Sequence, residues 1–304
     1  MPTLVAPALD ALAPFLAAQR IPTVEADMAA RLLGPLCRGD DARWAVVDDE
    51  GWRLAGVVVD TCASADDVAD LYPVAGDPRQ VTGVELDRLL ATAEQITAEG
   101  PRRSLEVALL PDRMHWAPGL RARGYELAYT LIRMRRPPTP VVEVTPPSGW
   151  RWAPVSPAFL ADYAHVVRLA FANVPGTMIP EWEEFQRSAL AARLPAHVLL
   201  RGAQDRVVAG REVLGEVVGY ARVEERHTEE ERILEVAAIG RHPALRGAGL
   251  GDVLLTYALT LALDQAPDGI ELSVAAQNLA ATALYQRHGF VSVEEIPVLR
   301  RFVR

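Results

Sequence analysis

The stretch Leu234–Asp252, LEVAAIGRHPALRGAGLGD, joins an apolar run to a glycine-rich loop. Its first residues, Leu234–Ile239, are typical of a β-strand. Apolar residues recur at helical spacing from Leu250 onward. The loop between them holds three glycines, at Gly247, Gly249 and Gly251. Because glycine lets backbone approach a ligand and a helix N-terminus attracts anions, this unit predicts a pyrophosphate site with Arg246 beside it. On its own, the loop fits a plain glycine-rich turn equally well.

A second informative stretch, Asn278–Phe290, reads NLAATALYQRHGF and lies further along the chain. Helical spacing puts Ala281, Leu284 and Tyr285 on adjacent parts of one face, and Gly289 ends the helix. A tyrosine hydroxyl at the edge of a helix can donate a proton. Taken alone, such a tyrosine is more often a core residue with its hydroxyl at the surface.

The composition excludes several classes of protein. The chain has 304 residues, 50% of them apolar, which suits two domains. All 31 basic residues are arginine, so the lysine needed by Schiff-base enzymes and Walker phosphate loops is missing. Two cysteines, Cys37 and Cys62, cannot form a four-thiolate zinc site, and no pair of the scattered histidines has the spacing of metal ligands. We therefore expect no metal.

The charge and the apolar runs bear on partners and location. A formal net charge of −9 argues against a nucleic-acid partner, since nucleic acids attract basic patches. The longest helical apolar stretch, Val253–Leu263, is too short to cross a bilayer, and the N-terminus has no signal-peptide pattern. A G-x-S-x-G elbow is also missing, which disfavours an α/β-hydrolase. We expect a cytoplasmic protein with no membrane partner, and its oligomeric state is left open.

The chain divides at a proline-rich stretch, Pro137–Pro147 (PPTPVVEVTPP), which favours an extended linker. This places a boundary at residue 142, giving domains 1–142 and 143–304. Three landmarks repeat across it at offsets of 163, 166 and 165 residues. They are the glycine of an apolar strand (Gly56 and Gly219), a Gln/Arg-x-x-Gly pattern (from Gln80 and Arg246) and a glycine–aromatic pair (from Gly124 and Gly289). The repeat indicates duplication of one α/β unit.

In the second half the patterns predict helices at 180–192, from 250 and at 279–288. They predict strands at 197–200, 216–223, 234–239 and 270–275, and one or two closing strands within 290–303. The charged run Glu224–Arg232 (EERHTEEER) is predicted to be a solvated turn.

Taken together, Arg-x-x-Gly-x-Gly opening a helix and Asn-x-x-Ala-x-x-Leu-Tyr-x-x-x-Gly-Phe after it resemble the GNAT N-acetyltransferase superfamily over residues 150–304. The resemblance implies an α/β fold of the α+β type. Two tandem GNAT-like domains would each have a mixed, mostly antiparallel sheet flanked by helices. The tandem arrangement is similar to that of the mycothiol synthases, although Arg241 stands where an apolar residue is usual there.

The resemblance also implies acetyl-CoA as cosubstrate and assigns its contacts. Loop N–H groups would hold the pyrophosphate, the end of the strand would pair with the pantetheine arm and polarise the acetyl carbonyl, and Asn278 would lie near the pantetheine. The implied cofactor-binding residues are Ile239, Gly240, Arg241, Arg246, Gly247, Ala248, Gly249, Leu250, Gly251 and Asn278.

Two further residues match the catalytic positions of the superfamily. Tyr285 would be the general acid that protonates the departing thiolate. Glu235 would be the general base that takes a proton from the substrate ammonium, and strand alternation predicts that it shares a face with Ala237 and Ile239. The alternative for Glu235 is an edge carboxylate in a solvated pair. His242 and His288 are not expected to act as bases.

The first half is predicted to be a degenerate copy. It keeps Gly83, but Glu85 replaces the second glycine of the loop and would repel a pyrophosphate. Leu120 stands at the position of Tyr285, and Arg113 at that of Asn278. We expect this half to be catalytically inert, with Trp116 and Tyr129 in its core.

These observations predict an acetyl-CoA-dependent N-acetyltransferase that transfers an acetyl group directly to a small-molecule primary amine. The segment 173–177 is expected to line the acceptor pocket. The nearby Glu181, Glu183 and Glu184 could attract a cationic amine, although a solvated helix face is the simpler interpretation. Three alternatives stay open: a mycothiol-synthase-like acceptor, a non-catalytic acyl-CoA-binding regulatory module, and a different nucleotide-binding protein.

Overall fold

A computed structural model of the chain describes residues 42–47, 54–59, 68–75, 79, 81–100, 102–142, 144–172, 174–175, 179, 182–202, 206–208, 211–213, 215–227 and 231–304. The chain forms two compact units. The first ends at Leu131 and includes the C-terminal segment Glu295–Arg304, whereas the second is Ile132–Glu294. The predicted boundary at residue 142 lies inside the second unit, and the return of the C-terminal segment to the first unit was not predicted.

The described elements of the first unit are the strands β1 (Ala42–Val47), β2 (Leu54–Val59), β3 (Val68–Ala75) and β4 (Ser104–Ala108), the helices α1 (Gly83–Glu99) and α2 (Ala117–Ala122), a 3₁₀ helix at Pro111–Trp116, and the start of β5 (Glu126–Arg136). Its sheet runs β1-β2-β3-β4-β13, where β13 is Val291–Phe302. The pairs are antiparallel except β3–β4, which is parallel.

The core of the first unit forms where α1 meets the sheet. Leu89 and Leu90 of the helix pack with Leu105 of β4, and with Trp116 and Leu120 from the following turns. All five side chains are buried. Trp116 and Tyr129 are both buried, as predicted for core residues.

The elements of the second unit are the strands β6 (Trp150–Pro154), β7 (His197–Arg201), β8 (Arg206–Val208), β9 (Arg211–Val213), β10 (Glu216–His227), β11 (Arg232–Arg241) and β12 (Gly269–Ala275), the helices α3 (Leu160–Phe171), α4 (Trp182–Ala191), α5 (Leu250–Leu263) and α6 (Leu279–Arg287), and a 3₁₀ turn at Pro243–Leu245. Its main sheet runs β5-β12-β11-β10-β7-β6, and β8–β9 form a separate hairpin. The pairs β6–β7, β7–β10 and β10–β11 are antiparallel, whereas β11–β12 is parallel. This confirms the mixed, mostly antiparallel sheet flanked by helices.

Two helices cover β10 and β11 in the second unit. Helix α3 buries Leu160, Tyr163 and Val167 in a cluster with Tyr220 of β10. Helix α5 is almost wholly apolar, as its sequence predicts, and buries residues such as Leu254, Leu255 and Leu259.

The prediction of a solvated turn at Glu224–Arg232 is wrong for most of that run. Strand β10 continues to His227, and Arg232 already begins β11, so the charged residues pair across two strands. Their arginines and glutamates neutralise one another, for example Arg232 with Glu225, whose side chain is only 7% exposed. Mutual neutralisation lets a charged sequence occupy a strand that its charge pattern disfavours.

The predicted shared face of Glu235, Ala237 and Ile239 is also wrong, because β11 contains a β-bulge. Glu235 pairs with Glu224 and Ala238 pairs with Arg222, so two residues of β11 oppose one of β10. Beyond the extra residue, the side chains of β11 face the opposite side of the sheet from the one that strict alternation predicts. Ala238 joins the α3-side cluster, and Ile239 packs instead with Leu254 of α5.

The two units repeat one register residue by residue. In the first, β3 and β4 pair at Val68–Ser104, Ala69–Leu105 and Asp70–Glu106. In the second, β11 and β12 pair at Ile233–Gly269, Leu234–Ile270 and Glu235–Glu271. Every residue of the second set lies 165 positions after its counterpart. This agreement supports the predicted duplication.

Candidate active site

The parallel strands β11 and β12 separate part-way along their length. Their pairing ends at Glu235–Glu271, yet β11 continues to Arg241 and β12 to Ala275. On its other side β11 remains paired with β10 as far as Arg241. The separation leaves an opening between two strands whose backbone groups can bond to an extended ligand, as an added strand does.

The loop after β11 forms an anion cradle. Gly247 and Gly249 have φ values of +79° and +70°, a conformation that side chains rarely adopt. Gly249 is the N-cap of α5 and has no side chain that could cap the N–H groups at that helix start. Those N–H groups and the helix dipole are therefore directed at whatever lies in front of the loop.

The remaining predicted contacts of the cradle lie in the same segment. Arg246 and Ala248 are exposed, so Arg246 places a permanent positive charge beside the loop. Leu250 is buried and anchors the start of α5. Arg241 is directed toward the 3₁₀ turn that follows it, since its Nε donates to the Leu245 carbonyl oxygen at 3.3 Å. His242 caps the 3₁₀ turn through Nδ1, which accepts from Ala244 N–H at 3.2 Å.

The start of α5 packs closely against the second half of α6 at Gly251. A β-carbon at this position would lie 3.2 Å from Cδ2 of Leu284, so glycine permits the approach. Next to it, Asp252 forms a 2.8 Å contact with Nε2 of His288, and Arg287 lies 3.6 Å away. These partners, His288 foremost, lower the pKa of Asp252. His288 thus has a local partner in Asp252, and its not acting as a base stays a prediction.

Asn278 and Tyr285 are both presented by α6. Asn278 is the N-cap, and its Oδ1 accepts from Ala281 N–H at 3.2 Å, which leaves its side-chain NH₂ group as the part that a ligand could contact. Tyr285 packs edge-to-face on Phe290 at a centroid distance of 6.0 Å. Burial raises the pKa of Tyr285 to about 12, so its hydroxyl keeps its proton at neutral pH.

Glu235 stands at the point where the two strands separate, between two other carboxylates. Directly paired residues share a face, so Glu224, Glu235 and Glu271 form a row across β10, β11 and β12. Arg222 pairs with Glu224, and Arg226 pairs with Glu271.

The surroundings of Glu235 favour its neutral form. Burial is the main cause that raises its pKa, and the charges of Glu224 and Glu271 add to the effect. Arg226 and Arg133 act in the opposite direction. A carboxyl group whose pKa is raised toward neutrality is suited to accept a proton from an ammonium group.

Tyr220 of β10 lies against the end of β11, and the sequence patterns did not single it out. It pairs with Gly240 and is fully buried, and a β-carbon on Gly240 would lie 2.6 Å from its Oη. The apolar run around Gly219 predicts a strand, but it does not predict that Tyr220 lies against Gly240. The signal lies in the pairing of a glycine with a tyrosine, which becomes visible once the register is known.

The corresponding place in the first unit is built differently. Thr82 and Glu85 form a reciprocal capping box at the start of α1, with Glu85 Oε2 accepting from Thr82 N–H at 2.8 Å. The start of α1 is therefore capped by the chain's own side chains, an arrangement that the sequence analysis did not predict. Leu120, which replaces the tyrosine, is buried, and Arg113 pairs with Asp112 instead of capping a helix. Gln80 lies outside the described residues.

The acceptor segment is described only in part. Asn173, 176–178 and Glu181 lie outside the described residues, as do Cys37 and Cys62, and for Glu184 the structure describes backbone alone. Glu183 is exposed on α4, as expected for a solvated helix face. Within the described parts of the chain, no group of three or more His, Cys, Asp or Glu side chains is arranged to hold a metal ion. In those same parts, every helix is too short or too polar to cross a membrane.

Comparison with known proteins identifies the fold and the family. Residues 173–290, which include β11, the cradle and α6, match the acetyltransferase (GNAT) family. The second unit is a GNAT acetyltransferase domain. Across the whole chain, the fold is similar to that of a tandem GNAT protein from the clavulanic acid biosynthesis pathway, with a TM-score of 0.70, 14% identity and coverage of 100% and 98% of the two chains. A GCN5-related N-acetyltransferase from Sphaerobacter thermophilus gives a TM-score of 0.66 at 16% identity, covering 99% and 96%.

Two sequence relatives of this chain are mycothiol acetyltransferases. The protein from Salinispora arenicola is 28% identical over 239 residues, which is 70% of this chain and 71% of the relative. The protein from Pseudarthrobacter chlorophenolicus is 31% identical over 166 residues, or 52% of this chain and 48% of that relative.

The residues of the GNAT domain fit the cosubstrate that its family uses, acetyl-CoA. The uncapped helix start, the two left-handed glycines and the exposed Arg246 suit a pyrophosphate. The open edge of β11 suits an extended arm with amide groups. The chemistry of the donors and the shape of the cradle thus agree with coenzyme A.

Proposed function

We propose that the GNAT domain is an acetyl-CoA-dependent N-acetyltransferase that acetylates a small-molecule primary amine by direct transfer. The observation that carries this proposal is the position of Glu235. Its partly buried carboxyl stands where β11 and β12 separate, on the strand that leads directly into the anion cradle. One segment of the chain thus contains, in order, the base Glu235, the open edge of β11 and the proposed pyrophosphate site.

In the proposed reaction, Glu235 takes a proton from the substrate ammonium, directly or through a water molecule. The free amine nitrogen then attacks the thioester carbonyl carbon, forming the C–N bond as the C–S bond breaks. Tyr285 gives its proton to the departing sulfur, and the second proton, which the nitrogen loses as it becomes an amide, passes to Tyr285 through water. Glu235 releases the first proton to solvent and is ready for the next turnover. Backbone N–H groups at Ile239, Gly240 and Arg241 would stabilise the negative charge that develops on the carbonyl oxygen.

We further propose that the contacts of coenzyme A are those assigned from the sequence. Gly247, Gly249 and the first turn of α5 would hold the pyrophosphate together with Arg246. The side-chain NH₂ of Asn278 would face the pantetheine. The domain boundary at residue 142 likewise stays a prediction.

The two mycothiol acetyltransferase relatives favour a specific acceptor as the second candidate. They support an amine of the mycothiol type, a cysteinyl pseudo-disaccharide, as the substrate of this chain. Their identities of 28% and 31% leave room for a different small amine. A direct comparison of such a conjugate with a panel of simple primary amines would decide between them.

The test of the proposed function combines binding and turnover. We expect calorimetry to detect acetyl-CoA binding, and mass spectrometry to detect the acetylated amine. The variant Tyr285→Phe should lower kcat by about 10²–10⁴-fold, the usual contribution of general acid–base catalysis, while the Kd for acetyl-CoA stays nearly unchanged. Absence of binding would overturn both the enzyme and the acyl-CoA-binding module. Binding without turnover on any amine would favour the module, and unchanged turnover in the variant would refute the role of Tyr285.

A further inference from the structure

The hydroxyl group of Tyr220 is buried without a hydrogen-bond partner among the described residues. The side chain is 0% exposed, and its Oη contacts no donor or acceptor in that part of the chain. Buried polar groups are nearly always bonded, and leaving one unpaired costs about 1–3 kcal/mol. A phenylalanine would fill the same space without this cost. The hydroxyl therefore calls for an explanation other than packing.

The ring of Tyr220 is held in one place by its neighbours. Tyr163 packs edge-to-face on it at a centroid distance of 5.3 Å, and Phe171 lies at 6.5 Å on a tilted plane. Both come from α3, which forms a buried cluster with β10. A fixed ring keeps the hydroxyl at one position, as a preorganised donor must be kept.

The Tyr220 hydroxyl is held directly against the backbone of Gly240. The Cε1, Cζ and Oη atoms of Tyr220 lie 2.6–2.7 Å from where a β-carbon of Gly240 would stand, so the tyrosine occupies the space that any side chain would need. The hydroxyl thus reaches across to β11, the strand whose far edge faces the opening. Burial is the main cause that raises the pKa of Tyr220, and Tyr163 and Tyr285 lie close enough to add to the rise.

We propose that the Tyr220 hydroxyl donates a hydrogen bond to the acyl carbonyl oxygen of the thioester bound beside β11. This inference rests on the proposed function, because it assumes that the acyl group lies next to Gly240. The bond strengthens as the carbonyl oxygen gains negative charge during attack by the amine. Tyr220 keeps its proton throughout, so the proton balance between Glu235, Tyr285 and the reactants is unchanged.

The variant Tyr220→Phe tests the proposal because it removes the oxygen and keeps the ring. Loss of one preorganised donor to a developing oxyanion typically lowers kcat by about 10²–10³-fold, and we expect a fall in that range. The Kd for acetyl-CoA should change little, since the cradle and strand edge are untouched. The melting temperature should stay the same or rise, because an unpaired buried hydroxyl has been removed. Tyr257→Phe is the matched control: its ring stacks on Trp152 at 3.8 Å, and its substitution should leave kcat unchanged.

Infrared spectroscopy can report directly on the proposed hydrogen bond. The stretching frequency of the acyl carbonyl does not change if Tyr220 has only a packing role, and its measurement needs no acceptor amine. Acetyl-CoA labelled with ¹³C at the carbonyl is bound to the full chain, and its carbonyl stretch is recorded by infrared difference spectroscopy. We expect a lower frequency on the wild-type protein than in water, and a smaller lowering on Tyr220→Phe. Equal frequencies on the two proteins would overturn the role of Tyr220 while leaving the proposed function intact. Failure of the wild-type protein to bind acetyl-CoA would instead refute the proposed function.

Discussion

The protonation state of Glu235 depends on the residues that pair with it on the two adjacent strands. The variant Glu235→Gln should lower kcat by about 10²–10⁴-fold and leave the Kd for acetyl-CoA nearly unchanged. The active form of the base is the carboxylate, so kcat/KM should rise with pH through the pKa of Glu235, which burial raises above 4.5. The measurement is a pH–rate profile at saturating acetyl-CoA.

The neighbours of Glu235 supply the control for that profile. Removing the charge of Glu224 in Glu224→Gln should move the ascending limb to lower pH, because that charge raises the pKa of Glu235. Glu235→Gln itself should lack the limb. If the limb persists in Glu235→Gln at the same pH, another group is the base.

At the scale of single residues, the motifs mark candidate residues, but the surroundings of those residues could not be predicted. Glu235 and Tyr285 stand out because they occupy fixed places in two motifs. Their neighbours do not, because Glu224 belongs to a charged run typical of a turn. Tyr220 lies in an ordinary strand, and its closeness to Gly240 depends on a long-range pairing. The bulge in β11 adds one residue to a strand, and nothing in the local sequence marks it.

The glycine cradle is the element whose conformation can be tested most directly. Gly249→Ala introduces a side chain at φ +70°, which costs about 1–2 kcal/mol in the left-handed region. A β-carbon there would meet no atom within 4 Å, so the cost is conformational and not steric. If the loop relaxes when no ligand is bound, binding must restore the strain, and Kd for acetyl-CoA should rise roughly 5–30-fold.

The matched control for Gly249→Ala is Gly83→Ala, at the corresponding position of the first unit. A β-carbon at Gly83 also meets no atom within 4 Å, but this residue is the first of α1 and not a left-handed cap. Its substitution should leave the Kd unchanged. Calorimetric titrations of the two variants with acetyl-CoA make the comparison, and equal affinities would argue against a role of the loop conformation in binding.

Elements with strong periodic signals were predicted within a few residues of their bounds. Helices α4, α5 and α6 and strands β7, β11 and β12 lie where the patterns placed them. The error at Glu224–Arg232 has a physical reason, since charge predicts exposure only while it is unpaired. Here arginine and glutamate side chains on adjacent strands pair with one another, so their charges no longer require exposure to water. Which residues pair depends on the register of the neighbouring strand, which the local sequence does not contain.

At the scale of the whole molecule, the duplication puts a second carboxyl pair in the first unit. Asp70 pairs with Glu106, the counterparts of Glu235 and Glu271. Burial, assisted by Glu106 and opposed by Arg300, raises the pKa of Asp70 from 3.8 to about 7. Between pH 3.8 and about 7, the Asp70 carboxyl keeps its proton in the folded state and has lost it in the unfolded state. The free energy of unfolding should therefore fall as pH rises through this window and level off above about 7.

The variant Asp70→Asn tests this assignment. It should be more stable than the wild type at pH 8, by about 1–4 kcal/mol, and should lose that pH dependence. Asp87→Asn is the control, because the side chain of Asp87 is 62% exposed in its pair with Arg123 and such pairs contribute little. Urea unfolding at several pH values provides the measurement. A parallel pH dependence in Asp70→Asn and the wild type would show that Asp70 does not titrate as described.

The same duplication also predicts how many molecules of acetyl-CoA one chain binds. The capping box at Thr82 and Glu85 places a carboxylate where a pyrophosphate would have to bind, and like charges repel strongly at a helix N-terminus. The expected stoichiometry is one molecule per chain. In the full chain carrying Gly247→Val and Gly249→Val, calorimetry should detect no binding at all, because bulky residues at positive φ disrupt the cradle. Two sites in the wild type, or one that survives in this variant, would mean that the first unit binds coenzyme A without a glycine cradle.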